Sequence, residues 1–432
     1  MSRRPRPAGR DGHDGQTARR AALRLFLAVL DERRTLDEAE PALDGLAPAD
    51  RARARRLVAE AFRGLSRADA LLAPHLRRTP PPAARAALRL GTVELAQGGA
   101  AHGVVNDWVA VVAGAGRKAA AARGMVNAVL RKMAAEAPAR WADLPVPVMP
   151  DWLRAPVAAA WGEPVAQAIE AAHAAGAPLD LTAKGDPDAL AARLGARRLP
   201  TGSLRLPRGA QVTALPGYAE GDWWVQDAAA ALPARALGPR SGERVLDLCA
   251  APGGKTLQLA AAGAEVTALD LSPARLERVR ENLARTGLSA HLAAEDARAH
   301  AGGPYDAVLV DAPCSATGTI RRHPELPHIR DGAGLGDLVA LQAALIDRAA
   351  ACLAPGGRLV YCACSLLPAE GEAQAAAALE RLPQLRADPA ALDLPGVERA
   401  WRGPEGLRLR PDHWPEAGGM DGFFVAAFRR VA

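Results

Sequence analysis

Aromatic residues make up only 4% of this 432-residue chain, and lysine stands at positions 118, 132, 184 and 255 alone. The cores must therefore be built largely from small aliphatic residues, and the 49% hydrophobic content is enough for two or three domains. Arginine supplies nearly all the positive charge, so Lys255 stands out as a position where a generic cation would have been arginine. The five cysteines are odd in number and all lie between Cys249 and Cys364, which excludes a disulfide scaffold and points to thiol chemistry in a reducing compartment. No run of about 18 apolar residues occurs, so no membrane-spanning helix is expected. The leader-like stretch 19–30 is interrupted by Arg24, is followed by Asp31-Glu32-Arg33-Arg34, and has no small-residue cleavage site, so a cytoplasmic protein is expected. The nine histidines do not gather with cysteines at ligand spacing, so no metal site is expected. The net charge of +6 favours a polyanionic partner.

Residues 1–18 are rich in Arg, Pro and Gly and read as a disordered basic tail. Residues 19–138 are helical throughout, with Leu23, Phe26, Leu27 and Leu30 at helical spacing, and likewise Val58, Ala61, Phe62 and Leu65. Arg51, Arg53, Arg55, Arg56, Arg77 and Arg78 form either an RNA-phosphate surface or an ordinary solvated face. Residues 139–230 open as a linker with Pro145, Pro147 and Pro150, turn helical from Trp152, and continue as a small α/β unit with strands expected at 178–183, 203–206 and 223–225. Its Arg197, Arg198, Arg205 and Arg208 could hold an RNA strand, while Trp223 and Trp224 either stack bases or fill the core. From 231 to 432 strand and helix alternate regularly, which predicts a parallel doubly wound sheet with strands near 244–249, 265–271, 290–295, 305–311, 357–363 and 423–429.

The stretch 246–256 runs from a buried strand through Cys249-Ala250-Ala251-Pro252-Gly253-Gly254 into a helix opened by Lys255. A P-loop would need glycine where Cys249 stands, and the spaced glycines of a dinucleotide turn are absent. What remains suits S-adenosylmethionine, with the bare Gly253 and Gly254 letting a ligand approach and Asp270 placed to bond a ribose diol. Ligands of such sheets sit beyond the carboxyl ends of the strands, so one cleft should hold the glycine turn, Asp270, Asp296, Asp311, Cys314 and Cys364. Two strand ends carrying Cys-Ser suggest why thiols are needed. Carbon 5 of a pyrimidine is a poor nucleophile until a thiolate adds at carbon 6, and a carboxyl group such as Asp311 can protonate or hydrogen-bond the ring nitrogen. Cys362, two residues from Cys364, shares its side of the strand and is expected to be a bystander; Cys352 reads as core.

The segments Cys249–Lys255, Asp311-Ala312-Pro313-Cys314-Ser315 with Arg321-Arg322-His323-Pro324, Cys364-Ser365-Leu366-Leu367-Pro368 and Gly419-Met420-Asp421-Gly422-Phe423 resemble the RsmB/NOP family of RNA 5-methylcytosine methyltransferases. Leu88-Arg89-Leu90-Gly91-Thr92-Val93-Glu94-Leu95 and Val126-Asn127-Ala128-Val129-Leu130-Arg131 are similar to the NusB-type helical RNA-binding fold. The resemblance spans nearly the whole chain. It implies an all-α NusB-like domain, a small α+β linker domain and a Rossmann-like class I methyltransferase domain. It also implies a monomer acting on cytosine carbon 5 of 16S rRNA, with S-adenosylmethionine held by Cys249, Ala250, Ala251, Pro252, Gly253, Gly254, Lys255, Asp270, Asp296 and Asp311. Cys364 would be the nucleophile, Cys314 would assist product release and Asp311 would contact the base. Two positions depart from the family's pattern, Ala363 where a threonine is usual and Pro327-His328 where Lys-Trp is usual, which puts a hydrogen bond and a base-side contact in question. Two readings stay open beside this one: a DNA-type enzyme using Cys314, and an RNA-binding or antitermination factor with little or no turnover.

Overall fold

The computed structural model describes residues 11–431, which divide into two compact units. One runs through Pro150 and includes Arg322–Asp331; the other comprises Asp151–Arg321 and Gly332–Ala432.

The first unit is all-helical, with its main helices at Asp11–Glu32, Pro48–Arg63, Leu65–Leu72, Pro82–Ala96, Ala101–Ala113 and Arg123–Arg140. Its first helix starts at Asp11, ahead of the helical start expected near residue 19, and residues 1–10 of the expected tail lie outside the described residues. Gly91 lets two helices meet, because a Cβ there would come within 2.9 Å of Leu130 and 3.1 Å of Trp108. Buried Glu94, three residues on, accepts from Arg19 Nε at 2.9 Å and from Trp108 Nε1 at 3.0 Å, tying three helices through one carboxylate. The stretch 322–331 joins this unit: Glu325 Oε1 accepts from Leu36 N at 3.1 Å, and His328 Nε2 lies 3.1 Å from the Phe62 carbonyl.

The second unit begins with helices Asp151–Trp161 and Glu163–Ala175. A small antiparallel sheet follows, built of β1 Leu179–Ala183, β2 Arg197–Arg198, β3 Leu204–Leu206 and β4 Trp223–Val225 in the order β2-β3-β1-β4. The large sheet comprises β5 Arg244–Leu248, β6 Glu265–Asp270, β7 His291–Ala294, β8 Tyr305–Asp311, β9 Leu353–Ala363, β10 Leu385–Ala387, β11 Leu407–Leu409 and β12 Phe423–Arg430. Its order is β10-β12-β9-β8-β5-β6-β7, with β11 also pairing β12. Strands β5 to β9 are parallel, but β10, β11 and β12 pair antiparallel, so the sheet is mixed rather than parallel throughout.

Side chains alternate between two cores on the faces of this sheet. Val245, Leu309, Val360 and Cys362 enter one, and Leu246, Val308, Leu359 and Tyr361 the other. Strand β9 begins at Leu353, earlier than expected, because a register shift between Tyr305 and Ala307 absorbs the Pro355-Gly356-Gly357 segment. Among the described residues no helix is long and apolar enough to cross a membrane.

Candidate active site

The parallel order places the carboxyl ends of β5, β6, β7, β8 and β9 along one edge, so Cys249, Asp270, Asp296, Asp311 and Cys364 all lie at a strand end or within two residues of one. Leaving β5, Cys249 adopts a left-handed φ of 61°, and Gly253 follows at 102° as the cap of helix Gly254–Ala261. These glycines are demanded by packing as well: a Cβ on Gly253 would lie 3.0 Å from Val279, and one on Gly254 would lie 3.3 Å from Gln226. Asp270 is buried and braces this turn, with Oδ2 accepting from Ala251 N at 3.2 Å and Oδ1 from Ser272 N at 3.0 Å. Arg275 Nη1 approaches the same carboxylate at 3.4 Å, and with about four acceptor positions Asp270 still has capacity for a ligand hydroxyl. Asp296 is more open; it caps Ala297–Ala299 and pairs with Arg298 at 2.6 Å, a hydrogen bond that lowers its pKa.

At the end of β8, Asp311 Oδ2 meets Lys255 Nζ at 2.7 Å. Burial opposes the charge on Lys255, but Asp311 outweighs it and the ammonium is held above its ordinary pKa. The same ammonium lies 5.0 Å from the Phe423 ring, which brings the closing Gly-Met-Asp-Gly-Phe-Phe motif into the site. That motif approaches through its glycines: a Cβ on Gly318 would lie 1.9 Å from the Gly422 carbonyl, and Gly422 N donates to Gly318 O at 2.8 Å.

The two cysteines expected to act together are adjacent, with Cys314 Sγ 3.4 Å from Cys364 Sγ. Their hydrogen bond, then burial, raises the Cys314 thiol well above its usual pKa, so Cys314 is a neutral thiol. Cys362 is fully buried, its thiol pushed up first by burial and then by Asp311, whose Oδ1 lies 3.4 Å from its sulfur. Burial, then the carboxylates of Asp311, Asp270 and Asp247, lifts the Cys249 thiol to about 12.

Several residues of this site carried no clear sequence signal. Asp247 in β5 is fully buried; Oδ2 accepts from Thr256 Oγ1 at 2.6 Å while Oδ1 has no partner among the described residues, and burial pushes its pKa up to about 7. Glu370, also fully buried, accepts from Ser315 N at 2.8 Å and from the hydroxyls of Ser315 and Ser365, both at 2.5 Å. Asp247 was hidden inside an apolar strand, whereas the serines beside both cysteines were visible without their shared partner.

Of the basic residues on the small sheet, Arg205 is buried, chelates Asp180 at 2.7 and 2.6 Å and donates to the Gly419 carbonyl at 2.7 Å, so it is structural rather than RNA-facing. Trp223 and Trp224 are core, donating to Pro216 O and Gln226 Oε1, both at 2.9 Å. His328 keeps an exposed edge but lays its ring beside Phe62, 5.6 Å between centroids, so it packs on the helical unit. Ala363, the other departure, is fully buried.

The donor set fits S-adenosylmethionine. Carboxylates stand at the ends of β6, β7 and β8 for a diol and an α-ammonium group, and the amino end of helix Gly254–Ala261 is suited to a carboxylate. Comparison with known proteins agrees. The 16S rRNA methyltransferase RsmB/F model matches residues 234–429, and the NusB family model matches residues 16–135. Ribosomal RNA small subunit methyltransferase B of Xanthomonas campestris pv. campestris is 36% identical over 442 residues, covering 97% of this chain and 98% of that protein. The Pseudomonas putida protein of the same name is 38% identical, covering 96% and 98%. A methyltransferase homologue from Pyrococcus horikoshii has a solved structure that is 30% identical at a TM-score of 0.53, covering 63% of this chain and 92% of that one. With both domains matched in order and nearly the whole length aligned, the chain belongs to the ribosomal RNA small subunit methyltransferase B family.

Proposed function

We propose that this enzyme methylates carbon 5 of a cytosine in 16S rRNA through a transient bond between Cys364 Sγ and carbon 6 of the base. That it is an S-adenosylmethionine-dependent rRNA methyltransferase follows from its family; the position on the base and the covalent route are our reading. The observation that carries it is the thiol pair, 3.4 Å apart on neighbouring strand ends beside the Lys255–Asp311 ion pair. Work on rRNA places the enzyme in the cytoplasm.

S-adenosylmethionine supplies an electrophilic methyl group on a sulfonium. The turn 249–255 with Asp270 and Asp296 would hold it, and Asp311 would lie between cofactor and base. The Cys364 thiolate adds to carbon 6, the carbon 5–carbon 6 π electrons shift toward the ring nitrogen and carbonyl, and Asp311, paired with Lys255, accepts a hydrogen bond from the exocyclic amino group of the base. Carbon 5 is then nucleophilic enough to take the methyl group. A water molecule takes the proton from carbon 5, the double bond re-forms as the carbon 6–sulfur bond breaks, and Cys364 leaves as the thiolate that began the cycle. The Cys314 thiol assists by donating a hydrogen bond to the departing Cys364 sulfur across the short contact between them.

The test uses 5-fluorocytidine-substituted 16S rRNA with S-adenosylmethionine, and reads covalent adducts on a denaturing gel. Fluorine cannot leave as a proton, so the adduct accumulates. Expected is an adduct with the wild type and Cys314→Ala but none with Cys364→Ala. Loss with Cys314→Ala alone would reverse the two roles and favour the DNA-type chemistry. No adduct from any protein would leave an RNA-binding factor.

A further inference from the structure

The two cysteines approach each other from loops joined beyond the strand ends by one backbone bond, Gly318 N to Cys364 O at 3.0 Å, and the side chains around them add the rest of the link. Ser315, after Cys314, gives both its backbone N–H and its hydroxyl to Glu370, at 2.8 and 2.5 Å. Ser365, after Cys364, gives its hydroxyl to the same carboxylate at 2.5 Å. Thr317 adds a second link: its Oγ1 accepts from Leu366 N at 2.9 Å and lies 3.2 Å from both serine hydroxyls. Glu370 is itself anchored, with Gln342 Nε2 donating to Oε1 at 3.0 Å and Tyr361 hydroxyl donating to its carbonyl at 2.6 Å. All of these donors are neutral, and the carboxylate is fully buried. Such a cluster holds geometry, because bonds from both loops converge on one buried carboxylate and separating the loops would break them without water to replace them.

We propose that Glu370 is a positioning residue that clamps the Cys314 and Cys364 loops together, setting the thiol-to-thiol distance on which release of the methylated base depends. It touches neither base nor cofactor and acts through Ser315 and Ser365. The proposal rests on the two-thiol reading above. It goes further by assigning Glu370 to the release step: with the clamp loosened Cys364 still attacks, while Cys314 no longer reaches the departing sulfur.

The experiment uses the full chain, S-adenosylmethionine and ordinary, non-fluorinated 16S rRNA. Glu370→Gln is expected to lower kcat about a hundredfold, the scale of loss when reacting groups shift by an ångström, with KM for S-adenosylmethionine unchanged. Both it and Cys314→Ala are expected to accumulate a Cys364-dependent adduct on ordinary RNA, and the variant carrying both substitutions should be no slower than Cys314→Ala alone. The double substitution Ser315→Ala with Ser365→Ala keeps the carboxylate and serves if Glu370→Gln folds poorly; it should show the same adduct. Additive losses in the double variant, or a slow Glu370→Gln enzyme without adduct, overturn the clamp. Failure of the two-thiol reading looks different, since Cys364→Ala would then still turn over or still form adduct.

Discussion

Two buried carboxylates, one in each unit, are satisfied in opposite ways. In the helical unit Glu94 binds Arg19 and Trp108, Asp107 takes the remaining Arg19 nitrogen at 2.6 Å, and Arg53 approaches Glu94 at 3.5 Å, so charge meets charge. In the catalytic unit Glu370 is met by an amide, two hydroxyls and a glutamine. A matched ion cluster resists loss of either partner because an uncompensated charge would stay buried. A carboxylate ringed by neutral donors depends on shape instead, so it fixes positions more than it secures the fold. Asp247 is the extreme: one hydroxyl on one oxygen and, among the described residues, nothing on the other.

The sharpest way to break this comparison is the same isosteric change at each site. Glu94→Gln leaves Arg19 without its main counter-charge and should cost about 3–5 kcal/mol in urea unfolding. Glu370→Gln keeps an acceptor oxygen and should cost about 1–3 kcal/mol, with its larger effect on turnover. Equal losses would mean that charge matching is not what separates the two clusters.

Asp247 gives an intermediate effect with a sign. Burial raises its pKa to about 7 from a usual 3.8, so the folded state holds the proton more tightly than the unfolded chain. Its contribution to stability is therefore complete below the unfolded value and is lost as pH rises through about 7. Between pH ~5 and ~8 that loss is roughly 2–3 kcal/mol. Asp247→Asn keeps an acceptor for Thr256 and does not titrate, so the gap between variant and wild-type stability should open toward high pH by that amount. Parallel curves at both pH values would show that Asp247 does not titrate in this range.

These contrasts explain what was readable beforehand. Strand ends, the glycine turn and both cysteines lie within short stretches whose periodicity and turn chemistry are local, so β5 to β9 and the thiol pair could be placed from residues alone. What stayed hidden depends on distant partners. Glu370 gains its meaning from Ser315, 55 residues away, and Arg205 reads as available to RNA until its partner Asp180, 25 residues back on a neighbouring strand, is seen. The antiparallel β10, β11 and β12 were too short or too late in the chain to announce their direction. That Pro327-His328 belongs with the helical unit was equally hidden, because only the fold shows that 322–331 joins it.

The smallest effect concerns the arginines of the helical unit, where matched and unmatched charge meet again. Arg51, Arg53 and Arg55 each face an acid: Asp44 at 3.5 Å, Glu94 at 3.5 Å, and Asp37 together with Glu40. Arg56, Arg77 and Arg78 are exposed and, among the described residues, make no ion pair. An arginine already neutralised by an acid releases little counter-ion when RNA arrives, whereas an unpaired one releases about one. If this unit holds rRNA, Arg56→Ala, Arg77→Ala or Arg78→Ala should each reduce the salt dependence of rRNA binding by about one charge and weaken binding evenly across sequences. Arg55→Ala should change that slope far less. Measured as the logarithm of affinity against the logarithm of salt concentration, the three exposed variants should fall together below the wild type and Arg55→Ala should stay with it. An unchanged slope for all four would move the rRNA surface away from this face of the helices.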